Sequence, residues 1–275
     1  MEMFLHEFMQ RAFIAGTLIA ILAPLFGLFV ILRRQSLIAD TLAHISLAGV
    51  AVGFTIGVNP TLTTIAVVVL GGLTIEVMRS FFKTYSELSI AILMSGGLAI
   101  ALVLTSFNGG NSTASISQYL FGSIVTIDAE SVFWLLGLAI VAVTLYLLFR
   151  RHMYVLTFDE DTAYTSGLNT RLISMVFSVL TGLAVAIMMP IVGALLVSSL
   201  MILPSAIAIK WVKSFDFAII LSIVMGLIGV YSGLTMSYQV GSPPGASITI
   251  VLIVMFIISM IVRTIWLRSK GRKYK

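Results

Sequence analysis

"AFIAGTLIAILAPLFGLFVILRRQSLIADTLAHISLAGVAVGF", residues 12–54, decides how this chain folds. Its first 21 residues, 12–32, carry no charged side chain. A helix needs about 20 apolar residues to cross the hydrocarbon core of a bilayer. Arg33 and Arg34 close that run, and a second apolar run follows almost at once. The stretch therefore reads as two membrane-crossing helices joined by a short basic turn. Asp40 and His44, four residues apart, lie at the mouth of the second.

Composition extends that reading to the whole chain. Of 275 residues, 59% are hydrophobic and 10% charged, with a mean hydropathy of +1.12. A soluble domain is about 25% charged, so this chain cannot cover a water-facing surface. The N-terminus does not read as a secretory leader. Glu2 and Glu7 stand where a positive region belongs, and the first apolar run exceeds the ~7–15 residues of a leader core. There is no cysteine, which excludes disulfides and thiolate metal sites and leaves His, Asp, Glu, Met and backbone as metal ligands.

Apolar runs fall at roughly 12–32, 41–57, 61–78, 88–107, 130–149, 171–189, 191–209, 216–235 and 246–266. The pair around Met189-Pro190 is tight and its second run short. One of the two could be re-entrant or broken, as helices lining a cavity are. The expectation is an all-α polytopic bundle of eight or nine spans in a single transmembrane domain, 1–275, with a basic tail at 263–275. Arg79 and Lys83, then Arg150, Arg151 and Arg171, then Lys210 and Lys213, and finally six basic residues from Arg263 to Lys275 sit in alternate loops. Loops 58–60, 108–129 and 236–245 have no Lys or Arg. The positive-inside bias puts the basic loops and the C-terminus in the cytoplasm. Nine spans then place the N-terminus outside, and eight allow it inside. The basic tail is an ordinary topogenic flank, so no nucleic-acid partner is expected.

Four stretches could carry chemistry. Asp40 and His44, at i and i+4, share a helix face, and ionisable groups within a span are costly and usually face a cavity or partner. A carboxylate and an imidazole there suit a metal or a proton. Equally, Asp40 could cap the helix, with His44 satisfied by neighbouring backbone. "TFDEDTAYTSGLNTRLI", 157–173, places Asp159, Glu160 and Asp161 before Ala163 and Gly167. It is either a solvated loop or a short helix that docks on a cytoplasmic partner and ends at Gly167. "MMPIVGALLVSSLMILPSAIAIK", 188–210, holds Pro190, Gly193, Ser198, Ser199 and Pro204. It fits either close helix packing or a broken helix beside a transport path. "SYQVGSPPGAS", 237–247, is a Pro/Gly turn. Glu76, near the end of the third span, is read as the partner of Arg79, three residues on. No P-loop and no H-E-x-x-H occurs.

The residues 32–54 resemble the signature of the zinc/manganese permease family of bacterial ABC importers. Arg33, Arg34, Ser36, Asp40, His44, Leu47 and Gly49 fall on its pattern. "FDEDTAYTSGL" is similar to the family's cytoplasmic coupling segment, "VGALLVSSLMILPSAIA" to its Gly- and Pro-containing segment, and "SPPGASITIVL" to its outer turn and final span. The resemblance implies a membrane permease subunit, itself no enzyme. It implies a homodimer in the bacterial plasma membrane, a cytoplasmic ATP-binding subunit beneath it, and an extracytoplasmic metal-binding protein above it. Asp40 and His44 would meet the metal in transit, and Asp159 to Gly167 would dock the ATPase. No cofactor would be resident. "DTLAHISLAGVAVGF" looks more like zinc-type than manganese-type members, so Zn²⁺ is the expected cargo and Mn²⁺ the alternative. A permease for iron chelates and a proton-coupled exchanger working through Asp40 and His44 are the rival readings.

Overall fold

The computed structural model describes residues 7–82, 86–107, 119–122, 129–158, 163, 165, 167 and 169–271. Among these, nine helices are long and apolar enough to cross a membrane. They are α1 (Glu7–Leu32), α2 (Leu37–Ile56), α3 (Pro60–Phe81), α4 (Ser86–Phe107), α5 (Ala129–Phe158), α6 (Thr170–Val192), α7 (Ala194–Trp211), α8 (Phe215–Val240) and α9 (Pro244–Gly271). All nine apolar runs read from the sequence are helices, including the short one at 191–209.

Local chemistry sets the ends. Asn59 accepts from the Thr61 amide at 2.9 Å ahead of Pro60, which opens α3; proline suits that position because the first-turn amides lack helical partners anyway. Asn169 caps α6 through the Leu172 amide at 3.1 Å. Gly57 ends α2 with φ 69°. A single residue, Gly193, joins α6 to α7 with φ 86° and ψ 152°. Only glycine adopts that geometry cheaply, and the backbone of 120–122 packs directly on it.

Two helices form the centre. The apolar windows of α1 and α2 are each 72% buried, against 22% for α9. One group is α2 packed by α3 and α4, with α6 against α3; the other is α1 packed by α7 and α8, with α9 behind them. Contacts of α2 with α6 and α7, and of α5 with α1 and α6, join the groups. Inside a bilayer, apolar surface gains little by leaving lipid, so close packing and hydrogen bonds hold such helices together. Accordingly, Gly16 lies against Val230 and Leu234, and Gly72 against the Ser178 backbone. Hydroxyls on the helices bond carbonyls four residues back, as Thr105 does to Ala101 at 2.6 Å and Thr181 to Phe177 at 2.8 Å. Such bonds satisfy those donors within their own helix, as a bilayer interior requires.

Apolar side chains on the outer helices face outward, among them Ile100, Leu102, Ile257 and Ile261. The molecule is a multi-span membrane protein.

Candidate functional site

α2 starts at Leu37, four residues before the sequence-based boundary of 41. Asp40 therefore lies inside the first turn. Ser36 occupies the N-cap position, with φ −55° and no side-chain capping bond. The capping role open to Asp40 from the sequence is not the one the fold gives it. His44 follows one turn deeper. Both side chains are half-buried, and neither forms a hydrogen bond or ion pair with a described residue. His44 Nδ1 is buried and unpartnered among the described residues.

The neighbours of α2 explain this placement. On one side Gly97 of α4 approaches the His44 carbonyl so closely that an added Cβ would stand 3.2 Å from it. On other sides Ile45 meets Gly71 of α3 and Leu42 meets Gly182 of α6. Thr41 also reaches the Ile90 carbonyl on α4 at 3.4 Å. These contacts fix the rotation of α2, on which Asp40 and His44, four residues apart, share one half-buried face. Residues at this spacing have Cβ atoms about 5–6 Å apart, so a carboxylate oxygen and an imidazole nitrogen can converge on one cation. Two donors fall short of the four that a tetrahedral Zn²⁺ takes. Among the described residues no group of three His, Asp or Glu side chains is placed to hold a metal ion.

The other sequence candidates fall as follows. Asp159, Glu160 and Asp161 lie outside the described residues. Ala163 is fully buried. Gly167 is exposed, with φ 80° and open space around the position of a Cβ. Pro190 lies inside α6 and Pro204 inside α7, so the interruption in 188–210 falls at Gly193. Ser198 and Ser199 both turn back to the Leu195 carbonyl, at 3.4 and 2.9 Å.

Glu76 does pair with Arg79, at 3.0 Å, and the pair belongs to a larger cluster that spacing did not reveal. Ser178 of α6 donates to Glu76 Oε2 at 3.3 Å. Gln35, with its amide oxygen turned to the guanidinium, accepts from Arg79 at 2.7 and 2.8 Å. Arg33 donates to Ser174 Oγ at 2.8 Å. Gln35, Ser174 and Ser178 are 5%, 1% and 2% exposed, so these bonds are made in the protein interior. Elsewhere, a groove of about 100 Å³ between α1, α5 and α6 is lined by Phe29, Phe149, Met153 and Phe177. Its Tyr146 hydroxyl donates to Asp216 at 3.3 Å, and the rest of its lining is apolar.

The chain is similar to known proteins along nearly its whole length. The pattern of a family described as "ABC 3 transport family" matches residues 5–263. A "Probable metal transport system membrane protein" of Treponema pallidum is 34% identical over 92% of this chain and 94% of its own. The manganese transport system membrane protein MntC of Listeria monocytogenes is 26% identical, covering 93% and 91%. The high-affinity zinc uptake system membrane protein ZnuB of Haemophilus influenzae is 25% identical, covering 94% and 99%. Among solved structures, PsaBC from Streptococcus pneumoniae in complex with Fab superposes with a TM-score of 0.82 at 28% identity, over 92% of this chain and 91% of that one.

Proposed function

The chain belongs to the ABC 3 transport family, and from that premise we propose that it is the membrane-spanning subunit of an ATP-driven importer of divalent metal ions, with Zn²⁺ as its cargo. One observation carries the reading. Asp40 and His44 share a half-buried face of a central helix, and His44 Nδ1 has no partner among the described residues. Ionisable groups left so within a bilayer are costly, and they persist where they meet an ion, a proton or a partner.

Each chain supplies one carboxylate and one imidazole. A second copy related by a two-fold axis would supply the same pair, giving the four donors that a divalent cation of this class prefers. A homodimer is therefore part of the proposal. The site is a way-station, because conduction requires the ion to leave as readily as it enters. Imidazole suits Zn²⁺ better than Mn²⁺, and the "DTLAHISLAG" stretch resembles zinc-type members. Relatives named for manganese and for zinc both align along the chain, so manganese is the second reading.

ATP is hydrolysed in a partner subunit, since this sequence has no P-loop. The segment from Asp159 to Gly167 docks that subunit, and a metal-binding protein delivers the ion to the opposite end. The K/R bias puts the docking segment and the C-terminus in the cytoplasm. With an ATPase driving the cycle, a stand-alone proton-coupled exchanger loses its support. The test is uptake of radiolabelled Zn²⁺ in cells lacking and regaining the chain, with Mn²⁺ as competitor. Restored uptake that excess Mn²⁺ leaves intact is expected. Restored Mn²⁺ uptake with no Zn²⁺ uptake would replace zinc by manganese.

A further inference from the structure

Ser174 and Ser178 stand one turn apart near the start of α6. Each meets a charged side chain from another part of the chain. Ser174 accepts from Arg33, at 2.8 Å, and Ser178 donates to Glu76, at 3.3 Å. Glu76 is gripped by Arg79, and Arg79 forks onto the Gln35 side chain.

Arg33 and Gln35 belong to the four-residue turn between α1 and α2. That turn has little slack. Its Arg34 holds φ 57°, a left-handed conformation that a non-glycine residue rarely takes. The Gln35 amide donates to Val30, in the last turn of α1, at 2.8 Å, and its carbonyl accepts from Ile38, in the first turn of α2, at 2.9 Å. Gln35 is thus fastened to both helices by its main chain and to Arg79 by its side chain. Asp40 lies five residues further, about 7.5 Å along a helix rising 1.5 Å per residue.

On the other side, α6 begins at Thr170, three residues after Gly167. The two serines therefore link the helix that follows the docking segment to the turn that fixes the start of α2. We infer that Ser174 and Ser178 are positioning residues through which motion of the docking segment is passed to Asp40 and His44. This rests on the roles proposed above for that segment and that pair. Buried ion pairs are an inefficient way to gain stability, and their best-attested use is to fix a register or a switch. The Ser178–Glu76 bond is long for an O–H···O bond, whose usual length is about 2.7–2.8 Å. It is the contact with room to tighten or part as α6 shifts, while directional bonds to Arg33 and Arg79 turn that shift into a rotation of the α1–α2 turn. Two discrete hydrogen-bond arrangements of this kind are how small displacements become switches.

The experiment reconstitutes the complete transporter, with its ATPase subunit and metal-binding protein, in liposomes and counts Zn²⁺ accumulated per ATP hydrolysed. In Ser174→Ala/Ser178→Ala, ATP hydrolysis should stay within about twofold of the unaltered transporter while Zn²⁺ per ATP falls about fivefold or more, the lower range of usual coupling effects. The melting midpoint should fall somewhat, since two buried hydrogen bonds to charged groups are lost, while hydrolysis holds; Ser178→Thr, which keeps the hydroxyl, should stay close to the unaltered Zn²⁺ per ATP in the Ser174-intact background. An unchanged Zn²⁺ per ATP overturns the relay. So does a parallel fall of hydrolysis, uptake and melting midpoint, which marks a structural role alone. Asp40→Ala is run alongside. If it stops accumulation while the serine variant is fully coupled, the relay is rejected and the metal pair stands. If Asp40→Ala accumulates Zn²⁺ normally, the metal pair is rejected and the relay with it.

Discussion

The Met201 carbonyl of α7 lies against Gly27 of α1, with no room between them for even one carbon atom. Two helix backbones touch at this point, and Ser205, one turn on, donates to the Pro24 carbonyl at 3.3 Å. The crossing brings α7 onto a helix at the centre of the bundle.

Gly27→Ala should therefore be poorly tolerated. The clash is with main chain, which cannot swing aside like a side chain, so the helices must separate. Overpacking of this kind costs about 3 kcal/mol. Gly96→Ala and Gly137→Ala, at helical positions with open space around a Cβ, should instead gain about 0.5–1 kcal/mol from reduced backbone entropy. Thermal melts of the three purified variants compare these directly. Equal midpoints for Gly27→Ala and the unaltered protein would refute the crossing.

Asp40→Asn and His44→Gln keep side-chain size while altering the two groups proposed to meet the ion. Loss of an outer hydrogen-bond partner alone costs metal sites about 10–100-fold. With the proposed roles, each variant should thus cut Zn²⁺ uptake at least about tenfold while the chain still co-purifies with the proposed ATPase subunit. Undiminished uptake in both variants would remove the pair from the ion's route.

Gly167 offers a test that separates shape from space. Its surroundings are open but its φ is 80°. Asn tolerates such conformations and a β-branched residue does not. Gly167→Asn should leave ATPase co-purification near normal, and Gly167→Val should reduce it. Equal loss in both would mean that the surface, not the bend, is what the ATPase needs.

The Glu76–Arg79 pair should behave as a unit. Removing one partner of a buried pair costs about 3–5 kcal/mol. The Arg79 side chain is 18% exposed, so about 2–3 kcal/mol is expected for Glu76→Gln. The double variant Glu76→Gln/Arg79→Gln should fall short of the summed single losses by about 1–2 kcal/mol, as coupled neighbours do. Strict additivity in thermal or denaturant melts would deny the coupling.

Hydropathy located all nine helices because lipid selects apolar side chains over a fixed thickness. It was weaker at their ends, where helices continue through polar residues outside the hydrocarbon. The run at 130–149 belongs to a helix that extends to Phe158, and α2 begins before Asp40 rather than after it. That second error mattered, because it made a helix-interior carboxylate look like a cap. The short run after Pro190 forms a helix of its own, long and apolar enough to cross a membrane, since the single residue Gly193 suffices to turn the chain. Glu76 and Arg79 were legible as neighbours in sequence. Their links to Gln35 and Ser178 were not, since Ser178 is 102 residues from Glu76 and serine alone carries no sign of a charged partner.

The crossing of α1 and α7 also bears on how the protein is made. Pro24 enters the membrane 181 residues ahead of Ser205. At about 5–20 residues per second of synthesis, that is roughly 9–36 s. For that interval one of the two central helices stands without α7 against its glycine notch. The centre of this transporter is thus translated well before the helix that closes over it.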